Sequence, residues 1–372
     1  MIAPVNVEDF RRLTRKRLPA IVFDYLDGGA EDEHGIEHNK AIFQHIRFKP
    51  LRLRNVSERD LSTSLLGRPL AAPLLIAPTG LNGLLWPEGD IALARAAAGE
   101  GLPFILSTAS NASIEDVARQ VDGDLWFQLY TIHADLTRQL IRRAIAADYS
   151  TLVVTVDVVV NGNRERDRRN GFAFPLRFSP GLVLDGIRHP RWLWHLLRNG
   201  LPRMANMAQQ QQASLDLQTA LLRRQMDASF DWSSLARLRE TWPRRLLVKG
   251  ILRAEDAQRC VELGADGVIL SNHGARQLDH CISPMQVLGQ VVENISQPVL
   301  VDSGFRRGSD VVKALAMGAS GILIGRAVLY GLAARGEAGA REVLRLLKRE
   351  MDITLAQIGC PSVAQLSPEY LL

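Results

Sequence analysis

A histidine and an arginine lie close together in the segment SNHGARQLDH, residues 271–280. The segment follows a short apolar run, GVIL, which is typical of a buried strand. Histidine transfers protons near neutral pH, and arginine holds a carboxylate through paired hydrogen bonds. His273 and Arg276 therefore predict a site that binds an acid and accepts a proton from it. Asp157, at the end of an earlier apolar run, is a candidate to orient the imidazole.

Two glycine-containing segments, DSGFRRGSD and IGR, indicate a phosphate site. Gly304 offers backbone N–H groups beside the guanidinium of Arg306, and Gly325 allows close approach beside Arg326. The alternative is a basic surface loop with no ligand. Lys249, which ends another apolar run, would serve either as a Schiff-base nucleophile or as a fixed cation facing an electron-rich ring.

The elements that must position these residues are short apolar runs that alternate with helical segments. Near-continuous apolarity indicates strands buried on both faces, as in a parallel sheet. Eight such alternations predict an α/β fold of the (β/α)8 barrel type. A doubly wound open sheet is the alternative, but the first run lacks a GxGxxG turn. The predicted strands are Pro73–Pro78, Phe104–Ala109, Asp124–Tyr130, Thr151–Asp157, Leu246–Gly250, Gly267–Asn272, Pro298–Ser303 and Gly321–Arg326.

The spacing of the strands suggests how the chain is divided. Residues 1–72 would form an N-terminal cap with two short helices, residues 73–360 the barrel, and residues 361–372 a C-terminal tail. The interval after the fourth strand is far longer than the others, which predicts an insertion over residues 161–229. Every predicted strand ends in polar residues, and in such barrels the active site lies at those ends.

Composition narrows the class of protein. The chain has 372 residues and a formal net charge of +5, which permits nucleic acid, an anionic membrane or an anionic ligand as partner. Its three cysteines lie far apart without metal-ligand spacing, which favours a reducing compartment and predicts no metal site. We find no signal-peptide pattern at the N-terminus and no apolar stretch of membrane-spanning length.

The motifs resemble those of one known family. SNHGARQLD, DSGFRRGSDVVKAL and IGR are highly specific, and the likeness extends from LPAIVFDYLDGGAEDE to DITLAQIG, nearly the whole chain. The chain resembles the FMN-dependent α-hydroxy-acid dehydrogenases and oxidases. The resemblance implies that FMN is the cofactor and a small 2-hydroxy acid the substrate.

The resemblance also implies a role for each matching residue. His273 would be the general base and Asp157 its partner. The substrate would contact Tyr25, Tyr130, Arg164 and Arg276. The flavin ring would lie against Pro78, Thr79, Gly80, Ser107, Gln128, Thr155, Lys249 and Ser271, and the ribityl phosphate against Asp302, Ser303, Gly304, Phe305, Arg306, Gly325 and Arg326. Gly80 would leave room for an aryl ring, unless the glycine is needed only for the turn.

The insertion suggests a partner. Residues 179–207 interleave four arginines with Trp192, Trp194, Leu196 and Leu197, a composition that suits a membrane interface. A lid or a subunit contact is the alternative. A nucleic-acid-binding protein would need an exposed basic stripe, and that hypothesis leaves the strand-end residues unexplained.

Within the family, PTGLNG and the insertion most resemble membrane-associated members that oxidise (S)-mandelate to phenylglyoxylate. The resemblance then implies a peripheral (monotopic) homotetramer at the cytoplasmic face of the inner membrane, with a membrane quinone as electron acceptor. An L-lactate dehydrogenase or an O2-using 2-hydroxy-acid oxidase is the alternative.

Overall fold

The computed structural model describes residues 3–172, 180–207 and 227–372. Three helices come first, α1 (Val7–Arg17), α2 (Ala20–Asp27) and α3 (His34–His45), where the sequence predicted two. The sequence of α3, HGIEHNKAIFQH, mixes histidines with a glycine and buries only Gly35, Asn39 and Phe43, so its apolar periodicity is weak. An antiparallel hairpin of β1 (Thr63–Leu65) and β2 (Arg68–Leu70) follows.

Eight parallel strands then close into a barrel, in chain order around the ring. This closed ring confirms the predicted (β/α)8 architecture. Every residue of most barrel strands is buried, which explains why they read as continuous apolar runs. The strands are β3 (Leu74–Ile76), β4 (Phe104–Ser107), β5 (Leu125–Leu129), β6 (Thr151–Thr155), β7 (Arg245–Ile251), β8 (Gly267–Leu270), β9 (Val299–Val301) and β10 (Gly321–Ile324).

Further helices follow the barrel strands or belong to the insertion. They are α4 (Gly89–Ala98), α5 (Ile114–Gln120), α6 (Ala134–Ala146), α7 (Glu165–Arg169), α8 (Pro180–Arg188), α9 (Pro190–Asn199), α10 (Trp232–Thr241), α11 (Ala254–Glu262), α12 (Pro284–Asn294), α13 (Gly308–Ala316) and α14 (Arg326–Ile358). Single-turn 3-10 helices occur at Asn82–Leu84, Ala205–Met207, Val363–Gln365 and Pro368–Tyr370. Helix α14 is kinked at Arg335 and Gly336, whose backbone angles are not helical.

The inside of the barrel is a packed core. Side chains from all eight strands meet there, with Trp126 the largest of them. Leu65 and Leu70 of the hairpin join this cluster and close the N-terminal end of the barrel. The inside of the barrel is therefore closed at that end. In such barrels the active site lies at the opposite end, at the carboxyl termini of the strands.

Most strands end before the polar residues that were predicted as their last positions. Strand β6 ends at Thr155, so Asp157 lies on the following loop, and Arg326 begins α14 instead of ending β10. Strand β7 is longer than predicted and shifts register between Lys249 and Ile251. Gly250, between them, has φ +108°, and a Cβ there would lie 2.6 Å from the Cβ of Asp157. Only glycine lets Asp157 pack this closely against β7.

The predicted insertion contains α7, α8 and α9 among its described residues, while residues 173–179 and 208–226 lie outside them. The expectation that Trp192 faces a membrane is wrong. Trp192 is 6% exposed, and its indole N–H donates to the carbonyl of Leu84 at 2.9 Å. Trp194 and Leu197, on the opposite side of α9, are 62% and 72% exposed.

The termini pack together. The backbones of Arg47 and Leu372 exchange two hydrogen bonds, and the Asp60 N–H donates to the carbonyl of Pro361. The division of the chain into three domains, an N-terminal cap, a barrel and a C-terminal tail, remains a prediction. Among the residues that the structure describes, no helix is both long and apolar enough to cross a bilayer.

Candidate active site at the carboxyl ends of the strands

A cleft opens at the carboxyl ends of the barrel strands and holds about 1110 Å³ of space, including the solvent at its mouth. Helix α2, the loops after β3 and β4, and the loops after β8, β9 and β10 form its walls. The predicted site residues that line it are Tyr25, Pro78, Thr79, Gly80, Ser107, Tyr130, His273, Arg276, Asp302, Ser303, Gly304, Phe305, Arg306, Gly325 and Arg326. Asp157, Arg164, Gln128, Thr155, Lys249 and Ser271 lie outside this lining.

His273 lies at the centre of the cleft wall. Its Nδ1 lies 3.0 Å from Oδ1 of Asp157, and its Nε2 lies 3.5 Å from the hydroxyl of Tyr130. The backbone at His273 has φ +58°, and its N–H donates to Oγ of Ser271 at 3.0 Å. An ionised carboxylate only accepts hydrogen bonds, so Nδ1 carries the proton in the neutral ring. Nε2 is then the basic nitrogen, and it is the one on the Tyr130 side.

Asp157 is ionised despite its burial. Burial alone would raise its pKa, but the charges of His273 and Lys249 and the hydrogen bond from His273 lower the pKa below its ordinary value. Its second oxygen, Oδ2, is buried without a hydrogen-bond partner among the described residues. A carboxylate fixed in this way holds the orientation and tautomer of His273 and stabilises the imidazolium once a proton arrives.

Lys249 is a buried cation. It is 3% exposed, and its Nζ lies 2.7 Å from Oγ of Ser271 and 3.1 Å from Oδ2 of Asp302. Burial would lower its pKa, but the charges of Asp302 and Asp157 outweigh that effect and raise the pKa. A protonated amine is not a nucleophile, so these contacts favour the fixed cation over the Schiff-base lysine.

Two guanidinium groups approach the ring of Tyr25. The Cζ of Arg276 lies 5.1 Å from the ring centroid and that of Arg164 lies 5.7 Å from it. Arg276 donates to the carbonyl of Gly28 at 2.8 Å, while Nε of Arg164 lies 3.2 Å from Asp167. Phe172 stacks on Tyr25 with ring centroids 4.5 Å apart. This cluster joins α2 to the insertion at the mouth of the cleft.

The far end of the cleft is built from the loops after β9 and β10. In the described part of the chain, the N–H groups of Gly304, Phe305, Gly325 and Arg326 have no acceptor. The side chain of Arg326 donates to the carbonyls of Leu26, Gly28 and Gly274, which leaves two of its five N–H groups. These donors, with the guanidinium of Arg306, fit a phosphate group.

Between the two ends, a polar network lies behind the cleft wall. Gln128 accepts from the hydroxyl of Ser107 at 3.1 Å and donates to that of Thr155 at 3.0 Å, so Ser107 connects the buried network to the cleft. Gly80 faces Ala109, because a Cβ at Gly80 would lie 2.9 Å from the Cβ of Ala109. The cleft thus offers a polar wall and a close apolar approach to a flat ring.

The sequence did not identify several residues of the site. The apolar and small residues among them have no functional group that would mark a site in the sequence, although Ala77 and Ala109 adjoin predicted strand-end residues. Phe172 belongs to a loop without periodicity. The unpredicted lining residues are Leu26, Ala77, Leu85, Ala109, Gly274, Leu323 and Leu329.

Comparison with known proteins identifies the family. Residues 14–372 match the family described as FMN-dependent dehydrogenase. The chain belongs to this family. It is 61% identical to an (S)-mandelate dehydrogenase of Pseudomonas putida over 366 residues, 98% of this chain and 93% of that one. It is 39% identical to an L-lactate dehydrogenase of Pectobacterium atrosepticum, over 98% of this chain and 96% of the relative. A peroxisomal (S)-2-hydroxyacid oxidase of Arabidopsis thaliana is 40% identical over 99% of this chain and 96% of the relative.

Solved structures agree with the family assignment. A crystal structure of the monotopic membrane protein (S)-mandelate dehydrogenase is 60% identical and matches with a TM-score of 0.97 over the whole of both chains. A mandelate oxidase is 34% identical and matches with a TM-score of 0.83 over 99% of this chain and 98% of that one. FMN is thus the cofactor of this oxidoreductase, and the cleft fits it, with phosphate donors at one end and the buried Lys249 cation paired with Asp302, which lines the cleft.

Proposed function

We propose that the protein oxidises (S)-mandelate to phenylglyoxylate. The observation that carries the proposal is the pair formed by His273 and Asp157 on a cleft that also contains Arg276 and a phosphate-binding end. The similarity to an (S)-mandelate dehydrogenase at 61% identity supports this substrate over L-lactate, whose dehydrogenase is 39% identical.

His273 is the general base of the proposed reaction. Its Nε2 accepts a proton from the hydroxyl or the Cα of the substrate, and either route requires the same acceptor. Asp157 holds the ring through Nδ1 and stabilises the imidazolium that results. Tyr130 lies 3.5 Å from Nε2 and would hydrogen-bond the hydroxyl or carboxylate of the substrate beside it.

The substrate carboxylate is bound at the mouth of the cleft. Arg276 lines the cleft beside Tyr25, and a planar guanidinium pairs with a carboxylate through two N–H groups. Arg164 approaches the same tyrosine ring and adds a second positive charge near the substrate. With the carboxylate held there, the hydroxyl and Cα lie toward His273.

The flavin-side residues would hold the cofactor and adjust its charge. When bound, FMN accepts the two electrons that leave the substrate Cα. Lys249 would stabilise negative charge on the reduced ring, because it is a buried cation tied to Ser271 and Asp302. Three groups of residues would contact the cofactor: Pro78, Thr79 and Gly80 beside the ring, Ser107, Gln128 and Thr155 behind it, and residues 302–306 with Gly325 and Arg326 at the phosphate.

A substrate panel tests the proposed specificity. We expect kcat/KM for (S)-mandelate to exceed that for L-lactate and glycolate, since Gly80 leaves the space that an aryl ring needs. A higher value for L-lactate would instead identify an L-lactate dehydrogenase. Fast reoxidation of the reduced enzyme by O2 with release of peroxide would identify an oxidase.

We further propose that helices α8 and α9 bind a membrane surface. Val183, Leu184 and Ile187 are exposed on α8, as are Trp194 and Leu197 on α9. Exposed arginines adjoin them: Arg188, Arg191, Arg198 and Arg203. Apolar side chains beside arginines are suited to the boundary between lipid headgroups and acyl chains. The monotopic membrane neighbour supports this proposal.

Sedimentation with anionic vesicles tests the membrane surface. Replacing Trp194 and Leu197 with serine removes two largely exposed apolar side chains, which should weaken binding by about 3 kcal/mol, or roughly 100-fold. A control that replaces the exposed Leu53 and Ile353 with serine should bind as the wild type does. Equal binding by all three proteins would show that α9 does not contact the membrane.

The electron acceptor, the assembly and the location complete the proposal. A membrane quinone would accept the electrons at the cytoplasmic face of the inner membrane, and the protein would be a homotetramer. Analytical ultracentrifugation in detergent measures the assembly directly. Cell fractionation followed by protease treatment of right-side-out vesicles tests the face, since a cytoplasmic enzyme would be protected.

A further inference from the structure

A second, narrower cavity lies between α9 and the 3-10 helix Asn82–Leu84, and we call it the α9 niche. It holds about 370 Å³ of space, including the solvent at its opening. Leu85 lines both the niche and the main cleft, so a single side chain separates the two. The residues that line the niche are Arg17, Gly83, Leu84, Leu85, Trp86, Pro87, Trp192, His195, Leu196, Asn199 and Gly200.

The niche combines aromatic walls with two polar groups. The guanidinium of Arg17 lies 4.3 Å from the ring centroid of Trp86, and its Nη2 lies 3.5 Å from Nε2 of His195. The rings of Trp86 and His195 have centroids 5.5 Å apart. Trp86 is fixed from behind by the kink of α14, because a Cβ at Gly336 would lie 2.5 Å from its ring. The niche is therefore a built surface with defined donors.

His195 provides an uncharged imidazole in this position. Burial, followed by the charges of Arg17 and Arg198, lowers its pKa below the ordinary value, so the ring is neutral at pH 7. A neutral imidazole both donates and accepts hydrogen bonds, and it can pass a proton. Arg17 stays a donor, although burial and the charge of Arg191 lower its pKa.

We propose that the α9 niche binds the head group of a membrane quinone. This inference rests on the proposed function, in which reduced flavin lies in the neighbouring cleft. Helix α9 turns His195 and Leu196 toward the niche and Trp194 and Leu197 outward, so one helix connects the proposed lipid surface with the niche. A quinone entering from lipid would reach the flavin side without passing through water.

The chemistry balances without another reactant. Oxidation of a 2-hydroxy acid releases two electrons and two protons, and a quinone takes up two of each to become a hydroquinone. Two O–H bonds form on the quinone, while the substrate loses its O–H and Cα–H hydrogens. Arg17 would donate a hydrogen bond to one quinone carbonyl. His195 would relay a proton from water to the carbonyl oxygen that it contacts, taking one up at its other ring nitrogen as it gives one away.

A phospholipid headgroup is the other ligand that this position suggests. A phosphate group is bound best by several converging cations. Of the described residues that line the niche, only Arg17 is a cation, and it is stacked on Trp86. Its neighbour His195 is neutral, and Arg191 and Arg198 lie outside the lining. A planar, uncharged ring with carbonyl oxygens suits these groups better than a phosphate does.

A matched pair of variants tests the niche. Leu196→Trp fills it, whereas Leu53→Trp makes the same change at a fully exposed leucine outside both the niche and the proposed membrane surface. The holoenzyme in detergent is irradiated with a short-chain azido-ubiquinone, and the label is located by mass spectrometry. We expect label on residues 83–87 or 192–200 in the wild type and in Leu53→Trp. Labelling in Leu196→Trp should fall at least about tenfold.

Rapid kinetics on the same proteins separates this inference from the proposed function. Flavin reduction by (S)-mandelate should be equal in all three, while reoxidation by unlabelled short-chain ubiquinone should slow only in Leu196→Trp. His195→Phe should weaken quinone binding by about 2- to 12-fold through the lost hydrogen bond. Failure of flavin reduction in the wild type would refute the proposed function.

Three results would overturn the niche while leaving the dehydrogenase intact. The first is label located outside the niche in an enzyme whose flavin is reduced normally. The second is equal quinone reoxidation by Leu196→Trp and Leu53→Trp. The third is loss of label when a short-chain anionic phospholipid is added but not when unlabelled ubiquinone is added, which would assign the niche to a lipid.

Discussion

Replacing Asp157 with asparagine tests how the site activates its base. In the wild type, Nδ1 of His273 lies 3.0 Å from the carboxylate of Asp157. Asparagine has nearly the same shape as aspartate and still presents an oxygen to Nδ1. The charge is lost, however, and with it the charge-assisted hydrogen bond to the imidazolium. Such a bond contributes about 1.5–3 kcal/mol, which corresponds to roughly 10- to 150-fold slower reduction of the flavin.

The pH dependence provides a second, independent signature. The interaction that lowers the pKa of Asp157 equally favours the protonated form of His273. Without the carboxylate, His273 stays neutral to lower pH, so the acid limb of the kcat/KM profile should move to lower pH even as the maximal rate falls.

Anaerobic stopped-flow absorbance measures both effects, with the visible flavin spectrum as the control for bound FMN. Wild-type rates together with an unmoved acid limb would refute the role of Asp157. A variant without a flavin spectrum would show instead that Asp157 maintains the structure of the site. Because asparagine has nearly the same shape as aspartate, the flavin spectrum distinguishes that outcome from a change in rate alone.

Other substitutions test the remaining roles. His273→Asn should keep FMN but slow flavin reduction by about 10²- to 10⁴-fold, and near-normal single-turnover reduction would exclude His273 as the base. Arg276→Lys should weaken binding of (S)-mandelate by about 1.5–3 kcal/mol, because lysine cannot make the paired contact. Binding of mandelamide, which has no carboxylate, should weaken less. Equal weakening for both compounds would show that Arg276 does not hold the carboxylate. Gly80→Ala forces a Cβ to 2.9 Å from that of Ala109. The activation free energy that kcat/KM reports for (S)-mandelate should therefore rise by about 1–3 kcal/mol, which lowers kcat/KM. A larger fall for L-lactate would contradict the role of Gly80 in aryl binding.

The barrel was predictable because its strands are buried on both faces and leave continuous apolar runs in the sequence. The ends of those strands were not, since backbone pairing stops before the polar residues that turn toward the cleft. Asp157 and Gly250 illustrate the limit. Gly250 was predicted only as the last residue of its strand. Its purpose, to admit Asp157 against β7, depends on a neighbour far away in sequence.

Side-chain direction was the harder problem in the insertion. Helix α9 carries apolar residues on both faces, so composition alone could not separate the side that packs on the protein from the side that faces outward. Trp192 was therefore assigned to the wrong face, while Trp194 was assigned to the exposed one. Lys249 shows the same dependence on three-dimensional neighbours, because only the proximity of Asp302 on another strand distinguishes a fixed cation from a nucleophile.

The central claim is that the cleft transfers two electrons from (S)-mandelate to FMN. The most direct measurement is an anaerobic titration of the purified holoenzyme with each enantiomer of mandelate, followed by flavin absorbance and quantification of the keto acid. The account predicts that (S)-mandelate bleaches the flavin and yields one phenylglyoxylate for each flavin reduced, while (R)-mandelate leaves the spectrum oxidised. An oxidised spectrum after excess (S)-mandelate, or bleaching by (R)-mandelate alone, would contradict it.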